Sequence, residues 1–237
     1  LEYADLALHL RRAFNEQGWG DPARWASITV ADCHAVFQIP PQAHVRLDEL
    51  MALFARHLNE AGMRLQAEYG GKAMQLLHAA QGSAENLAAR VGAWDGFRDV
   101  SSYGDTSVPI FKRAQIFAAD VWLALRGSGL ADFNDIDRLT IFADNMVPHV
   151  LRHAGMLTYD LDLAARIDAG YEIRAGSAEE VELRAVAIHA VECMRDAAHA
   201  MGRRDICAVN LDHILWNRGY EHDLIVLPRH RTLTVWY

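Results

Sequence analysis

Residues 177–202 read SAEEVELRAVAIHAVECMRDAAHAMG and carry the clearest structural signal in the chain. From Val181 to Ala198, apolar residues recur at three- and four-residue spacings, which is the period of an amphipathic helix. Ser177 and Glu180 have the spacing of a capping box, and Gly202 is a typical helix terminator. The stretch therefore predicts a long helix over 178–201.

The same pattern extends outward through most of the chain. Helices are predicted over 49–69, 111–126, 135–143 and 148–153, with glycines following the first, second and fourth of them. Residues 38–44 and 101–109 are predicted as loops, and only the segment 232–237 alternates like a strand. With no internal repeat or long linker, the expectation is one mainly α domain over 1–237, with minor β content near the C-terminus.

Composition excludes several classes of function. The 237 residues are 51% hydrophobic and 23% charged, as in ordinary globular proteins. No apolar run reaches membrane-spanning length and no signal-peptide pattern opens the chain, so a cytoplasmic protein with no membrane partner is expected. A net charge of -8 argues against polynucleotide binding, which depends on clustered lysine and arginine.

Common catalytic and metal-binding motifs are missing from the sequence. The chain has no HExxH, GxSxG, Walker A or GxGxxG motif, and its three cysteines are widely spaced. The pair His222-Asp223 has only 14 residues after it, too few for the further ligands of an HD-type phosphohydrolase. No metal and no cofactor are therefore expected.

A carboxylate in the stretch FADNMVP (142–148) is the leading candidate for chemistry. Pro148 suits the first turn of a helix, which places Asp144 at a predicted helix-to-helix junction. An aspartate at such a position is often only a helix cap. Lys112 and Gln115 lie on one face of the preceding predicted helix, although a lysine there can equally be a solvated side chain. Trp216 is a further aromatic candidate, and tryptophan is more often a core residue than a ligand platform.

Several motifs resemble those of one known family, the queuosine salvage proteins. They are FRDV (97–100), FKRAQI (111–116), FAD (142–144), VP (147–148), VELR (181–184), LD (211–212), LW (215–216), HR (230–231) and Tyr237. The resemblance runs from about residue 69 to the last residue. It divides the expected domain into a divergent part, 1–68, for base recognition and a catalytic part, 69–237.

The resemblance implies a fold similar to the helix-hairpin-helix DNA glycosylases, and an enzyme acting on a small nucleotide rather than on DNA. The implied reaction is hydrolysis of the N-glycosidic bond of queuosine 5'-monophosphate, which releases queuine for reuse in tRNA. Asp144 matches the catalytic aspartate of the family. A 7-deazapurine has no N7 to protonate, so stabilising positive charge on the ribose must supply most of the catalysis.

The resemblance also implies a set of substrate-binding residues. Lys112, His230 and Arg231 match positions expected near the sugar phosphate, and Asp32 matches the acid that reads the edge of the base. Phe37 and Trp216 are candidates to sandwich the base between rings. The remaining candidates for substrate contact are His34, Gln115, Phe142, Asn145, Tyr159, Asp212 and Tyr237. The partner is thus a nucleotide 5'-monophosphate, and the oligomeric state stays open.

Two departures from the family pattern keep alternatives open. Asn145 follows the catalytic aspartate where the family usually has tyrosine, and the aromatic base-recognition motifs of the N-terminal part are missing. One alternative is a nucleotide 5'-monophosphate N-glycosidase that acts on a different purine or deazapurine base. The other is a nucleotide-binding module without catalytic activity.

Overall fold

The computed structural model describes residues 3–237, and most of its regular secondary structure is helical. In chain order they are α1 (Tyr3–Glu16), α2 (Pro22–Trp25), α3 (Val30–Phe37), α4 (Val45–Tyr69), α5 (Ala73–Ala80), α6 (Ala84–Gly92), α7 (Lys112–Ala124), α8 (Met146–His153), α9 (Leu161–Asp168), α10 (Ala178–Ala200), α11 (Ala208–Arg218) and α12 (His222–Ile225). Within this described part, no helix is both long and apolar enough to cross a membrane. The prediction of a mainly α fold is confirmed.

The chain divides into two compact units. The N-terminal unit comprises the described residues up to Gln81 together with Ala93–Gly96, and the C-terminal unit comprises Gly82–Gly92 and Phe97–Tyr237. Helix α5 packs against α4 and so belongs with the first unit. The division into a divergent part, 1–68, and a catalytic part, 69–237, stays a prediction. That the two units act as one domain stays a prediction.

The N-terminal unit is organised around the long helix α4. Its core contains buried residues of α1, α3 and α4 and of the connecting loops, with Trp19, Phe37 and Met51 among the largest. Helix α2 lies so close to α4 that a Cβ atom on Gly62 would be 2.4 Å from the backbone nitrogen of Ala26. The absence of a side chain at Gly62 is therefore what permits this approach.

The C-terminal unit is organised around α8, α10 and α11. Its main core gathers the buried Ile141, Val147, Leu151, Ala187 and Val191 with their neighbours. The predicted helix over 178–201 is confirmed as α10, and the Ser177 side chain accepts from the backbone of Glu180, as its capping role requires. Three residues of α8 belong to this core, which therefore supports the helix that begins just after Asp144.

The prediction of a helix over 135–143 is wrong. Only the short 3-10 turn Ile136–Arg138 forms, and the chain then runs without regular structure to α8. In this segment the backbone N–H groups of Thr140 and Phe142 donate to the side chains of Gln115 and Asp212, respectively. Long-range polar partners thus replace the local carbonyls that a helix would have supplied.

The position predicted for the β structure is also wrong. The sheet is a hairpin of β1 (Val100–Tyr103) and β2 (Thr106–Pro109), within the stretch predicted as a loop. Gly104 has a φ of +57°, which suits the tight turn between the strands. The alternating C-terminal segment forms no strand. Just before it, the backbone of Arg231 forms an isolated β-bridge with that of Glu172. Alternation could not predict this outcome, because a strand also needs a partner to pair with.

Candidate active site

Asp144 is buried immediately before α8 and is 6% exposed. Its Oδ1 atom accepts from the backbone N–H groups of Met146 at 2.7 Å and Val147 at 3.4 Å. The capping interpretation of this aspartate is therefore correct, and Pro148 does lie in the first turn of the helix. Capping occupies one carboxylate oxygen and holds a negative charge at the positive end of α8.

Lys112 reaches the other oxygen of this carboxylate. Its Nζ atom lies 3.6 Å from Asp144 Oδ2, and the side chain is 11% exposed. Burial lowers the pKa of Lys112, while the charge of Asp144 opposes that change. Because Lys112 is the first residue of α7, the pair joins the beginnings of two helices, and the solvated interpretation of this lysine is wrong.

Asp212 adds a second carboxyl group to the same surroundings. It is 5% exposed, and its Oδ1 accepts from the backbone N–H of Phe142 at 2.8 Å. Burial raises the pKa of Asp212 to about 7, and the negative charge of Asp144 acts in the same direction. The hydrogen bond from Phe142 and the charge of Lys112 oppose the increase. Asp212 therefore retains its proton to a higher pH than an ordinary aspartate does.

His230 and Tyr237 belong to a second buried polar cluster in the C-terminal unit. The Tyr237 hydroxyl donates to Glu180 Oε1 at 2.6 Å and lies 3.1 Å from His230 Nε2. Burial lowers the pKa of His230 to about 4, with the charge of Arg184 acting in the same direction. His230 is therefore neutral at physiological pH, so it adds no positive charge for a phosphate group.

An open cleft of about 620 Å³ lies beside this cluster. Asn145, Arg229, Arg231 and Tyr237 contribute to its lining. Asn145 immediately precedes α8 and donates from Nδ2 to the backbone oxygen of His230 at 3.2 Å, which connects the start of the helix to the C-terminal segment. The exposed Arg231 anchors that segment through its backbone oxygen, which accepts from Ile173 N at 2.7 Å. Its guanidinium group is thus available to a ligand.

The structure gives two of the predicted binding residues positioning contacts instead. Gln115 Nε2 donates to Ile110 O at 2.9 Å and Thr140 Oγ1 at 3.0 Å, and its Oε1 accepts from Thr140 N at 2.8 Å. Because an amide nitrogen carries two protons, both are used within the protein. The Tyr159 hydroxyl donates to Pro148 O at 3.1 Å. These contacts favour a role in holding the segments that flank Asp144.

The aromatic candidates of the C-terminal unit differ in exposure. Phe142 is 7% exposed and meets His213 edge to face, with 6.4 Å between ring centroids. Trp216 is 39% exposed and lies 4.6 Å from the ring of Tyr220. The core interpretation of Trp216 is therefore wrong, and its ring is available for stacking.

The three candidates of the N-terminal unit all have contacts within that unit. Asp32 Oδ2 accepts from Thr29 N at 2.8 Å and Thr29 Oγ1 at 2.6 Å in a capping box at the start of α3, and these bonds lower the pKa of Asp32. His34 Nδ1 lies 3.0 Å from Ile39 O, and its Nε2 lies 3.3 Å from Asp48 Oδ1. Phe37 is 2% exposed in the core. The predicted use of Phe37 as a base platform does not agree with that burial.

Two residues that were not predicted to belong to the site, Asp99 and Arg184, lie beside the Lys112–Asp144 pair. Arg184 Nε donates to Ala143 O at 2.9 Å, and both Nη atoms contact Asp99. A signal was present, because Arg184 falls on the apolar stripe of α10, three residues after Val181 and four before Ile188. A charge on such a stripe indicates a buried partner.

The comparisons with known proteins agree with the motifs. The family model described as queuosine salvage protein matches residues 1–237. A protein of Sphaerobacter thermophilus is 40% identical over 238 residues, which cover 99% of this chain and 72% of that protein. A Bos taurus protein is 30% identical over 251 residues, covering 99% and 71% of the two chains. A Dictyostelium discoideum protein is 38% identical over 183 residues, covering 77% of this chain but 57% of its own length. All three are named queuosine 5'-phosphate N-glycosylase/hydrolase.

Proposed function

The chain belongs to the queuosine salvage protein family, and on that premise we propose that it hydrolyses queuosine 5'-monophosphate to release queuine. The observation that carries the proposal is the buried Lys112–Asp144 pair, 3.6 Å between Nζ and Oδ2. It lies within two of the motifs on which the resemblance rests. The relatives bear a name that specifies an N-glycosylase acting on a nucleotide 5'-phosphate.

Asp144 is assigned to stabilise the positive charge that develops on the ribose as the base leaves. Hydrolysis of glycosidic bonds passes through an oxocarbenium-like transition state, and a carboxylate held in a site of low polarity stabilises such charge strongly. The two backbone donors of α8 fix the carboxylate before substrate binds. The same carboxylate is also assigned to orient or deprotonate the attacking water.

Lys112 is assigned to hold the Asp144 carboxylate in place. Its Nζ atom lies 3.6 Å from Asp144 Oδ2, and the two side chains are only 11% and 9% exposed. A 7-deazapurine leaving group cannot be activated at N7, so a carboxylate that stabilises charge on the ribose is needed more than a strong acid.

The phosphate group is assigned to the cleft lined by Asn145, Arg229 and Arg231. A guanidinium group offers a planar pair of donors that matches phosphate oxygens. This assignment retains the predicted role of Arg231. It replaces the phosphate contact predicted for Lys112, whose ammonium group already contacts Asp144.

A second candidate function is hydrolysis of a nucleotide 5'-monophosphate with another purine or deazapurine base. It is favoured by one observation, the burial of Phe37, which leaves the divergent N-terminal part without that predicted platform for the base. The chemistry at Asp144 would be unchanged. We further propose that the enzyme is cytoplasmic, takes a free nucleotide rather than RNA, and uses both units as one glycosidase domain resembling the helix-hairpin-helix DNA glycosylases.

Separate incubations of the protein with queuosine 5'-monophosphate, queuosine and GMP test these functions, with chromatography of the released bases. The main proposal predicts queuine from the nucleotide and little from the nucleoside. Release from GMP alone would instead support the second candidate. Addition of EDTA should leave the rate unchanged, because the assigned chemistry uses only side chains.

Asp144→Asn tests the catalytic assignment directly. Loss of one preorganised electrostatic group should lower kcat by about 10²- to 10³-fold. Asparagine retains an oxygen that can accept from Met146 N, so the variant should fold and its melting temperature should still rise with substrate. Asn210→Ala, in α11 of the same unit, serves as a control and should keep kcat. If wild type and Asp144→Asn both bind the nucleotide and neither releases a base, the chain is a non-catalytic binding module.

A further inference from the structure

Asp99 and Arg184 form a bidentate ion pair in the interior of the C-terminal unit. Arg184 is 0% exposed and Asp99 is 1% exposed. The two Nη atoms of Arg184 lie 3.0 Å and 2.5 Å from the two carboxylate oxygens of Asp99. Such a pair is weak support for stability, because removing both charges from water offsets much of their attraction. The hydrogen bonds that the ion pair makes to neighbouring backbone therefore indicate its role better than its contribution to stability does.

Each member of the pair holds the backbone of one candidate residue. Arg184 Nε donates to Ala143 O at 2.9 Å, one residue before Asp144. Asp99 Oδ2 accepts from the backbone nitrogen of Lys112 at 3.2 Å. A single guanidinium–carboxylate pair thus connects the two segments from which the Lys112 and Asp144 side chains meet.

The backbone just before Lys112 is strained and is held by the same aspartate. Phe111 has a φ of +51°, a conformation that is costly for a residue with a side chain. The backbone oxygen of Asp99 accepts from Ile110 N at 3.0 Å and Phe111 N at 3.1 Å. Asp99 therefore fixes the point at which the chain turns into α7, and with it the direction of the Lys112 side chain.

We propose that Asp99 and Arg184 are positioning residues that set the separation of Lys112 and Asp144 for catalysis. The proposal rests on the proposed function of the Lys112–Asp144 pair. It assigns no contact with substrate to either residue. Its consequence is that disturbing the ion pair impairs turnover while leaving substrate binding largely intact.

The test compares steady-state hydrolysis of queuosine 5'-monophosphate by Asp99→Asn and Arg184→Lys with the wild type. A displacement of the reacting groups should lower kcat by roughly tenfold or more, with KM changed less than about threefold. Val191→Ala removes buried volume from α10 two turns beyond Arg184 and controls for lost stability. Asp223→Asn disrupts the bidentate Arg218–Asp223 pair of the same unit and controls for loss of an ion pair as such.

Two further measurements separate positioning from general destabilisation. Adding Asp99→Asn to Lys112→Ala should lower kcat no further than Lys112→Ala alone, because residues acting through one another are not additive. Acetylation of Lys112, followed by peptide mass spectrometry without substrate, should be faster in Asp99→Asn and Arg184→Lys than in Val191→Ala. This second readout does not require activity.

The proposal would be overturned if Asp99→Asn and Arg184→Lys lost no more kcat than Val191→Ala of equal melting temperature. Unchanged Lys112 acetylation would also overturn it, as would failure of both variants to fold, which would assign the pair to folding. A wild-type protein that releases no base contradicts the proposed function instead. In that case the acetylation result still decides whether the ion pair positions Lys112.

Discussion

At the residue scale, Asp144 contacts the start of a helix with one carboxylate oxygen and leaves the other for the catalytic role that we propose. Its Oδ1 accepts from the first turn of α8, while its Oδ2 faces Lys112 at 3.6 Å. The cap restricts the carboxylate to one orientation, and that restriction is what electrostatic catalysis requires. The common structural role of an aspartate before a helix therefore gave no reason to dismiss it.

Arg231→Ala should weaken binding of the nucleotide by about 1.5–3 kcal/mol, the usual worth of a hydrogen bond to a charged group. Since the arginine is assigned to phosphate, KM for queuosine 5'-monophosphate should rise while kcat changes little. Lys112→Ala should instead lower kcat and change KM little. Steady-state kinetics of both variants check the distinction, and Arg174→Ala is the exposed-arginine control. Equal reaction of nucleoside and nucleotide in the wild type would contradict the phosphate assignment.

Asp212→Asn should make the stability of the protein less dependent on pH. Burial raises the pKa of Asp212 from its ordinary 3.8 to about 7, so between these values the folded state binds a proton that the unfolded state does not. Wild-type stability should therefore fall as pH rises through this window, and the loss should be complete above it. At about 1.4 kcal/mol per pH unit, the penalty at pH 8 is at most about 4 kcal/mol.

Urea denaturation of both proteins at pH 4 and pH 8 measures this difference. Asparagine stays neutral and can still accept from Phe142 N, so the variant should gain on the wild type at pH 8 and differ little at pH 4. Asp223→Asn, at an exposed ion pair whose carboxyl pKa is lowered, is the control and should not gain at pH 8. Parallel pH profiles for wild type and Asp212→Asn would show that Asp212 is not a buried acid.

At the element scale, the irregular segment before α8 matters more to the site than any single helix. Apolar residues in this segment have helical spacing, yet side chains from α7 and α11 bind its backbone. Gln115 and Asp212, both predicted to contact substrate, hold it together with Arg184. The hydrophobic period identified which residues are buried, but long-range hydrogen bonds decided the conformation.

Gly62→Ala should destabilise the N-terminal unit by about 1–3 kcal/mol or more, the usual cost of forcing extra atoms into a packed interface. The added carbon would meet backbone atoms of Trp25 and Ala26 at 2.4–2.9 Å, and backbone cannot rotate away as a side chain can. Thermal and urea denaturation followed by circular dichroism measure the loss. The exposed Ala67→Ser on the same helix is the control, and an unchanged melting temperature for Gly62→Ala would contradict the close approach of α2 and α4.

At the scale of the whole molecule, the net charge of the protein favours binding of a free nucleotide over binding of RNA. The chain carries a net charge of -8, and the local cleft beside Asn145 contains Arg229 and Arg231. Neutralising a small phosphate needs a few basic groups, whereas polynucleotide binding needs an extended basic surface.

The two compact units also each have a hydrophobic core of their own, so a change in one core should first affect its own unit.

Transfer RNA should neither bind the protein appreciably at physiological salt nor inhibit hydrolysis of queuosine 5'-monophosphate. The physical reason is repulsion between two negatively charged molecules, which weakens only when salt screens it. Gel-shift assays at several salt concentrations and rates measured with added tRNA check this expectation. Binding that strengthens as salt is lowered to about 50 mM would reveal a basic surface that the net charge conceals.

The sequence by itself determined the helical class and the positions of α4, α7, α8 and α10, and it indicated Asp144 as the leading candidate for chemistry. Periodicity and capping are local properties, so α4, α7 and α10 could be predicted to within a few residues. The motifs around Lys112 and Asp144 were sufficient to indicate the family. The hairpin at 100–109 could not be predicted, because pairing of two short strands depends on the surfaces that cover them.

Only the tertiary structure decided which polar residues meet. Lys112, Asp144 and Asp212 come from different helices and loops, and no sequence period relates them. Asp99 and Arg184 lie in the motifs FRDV and VELR, but nothing in the sequence indicates that they pair. Their buried ion pair is a feature of the tertiary structure alone. The physical reason is that a charge removed from water is stable only if oppositely charged or hydrogen-bonding groups lie next to it in space. Tertiary packing determines which groups those are, and the order of residues along the chain does not.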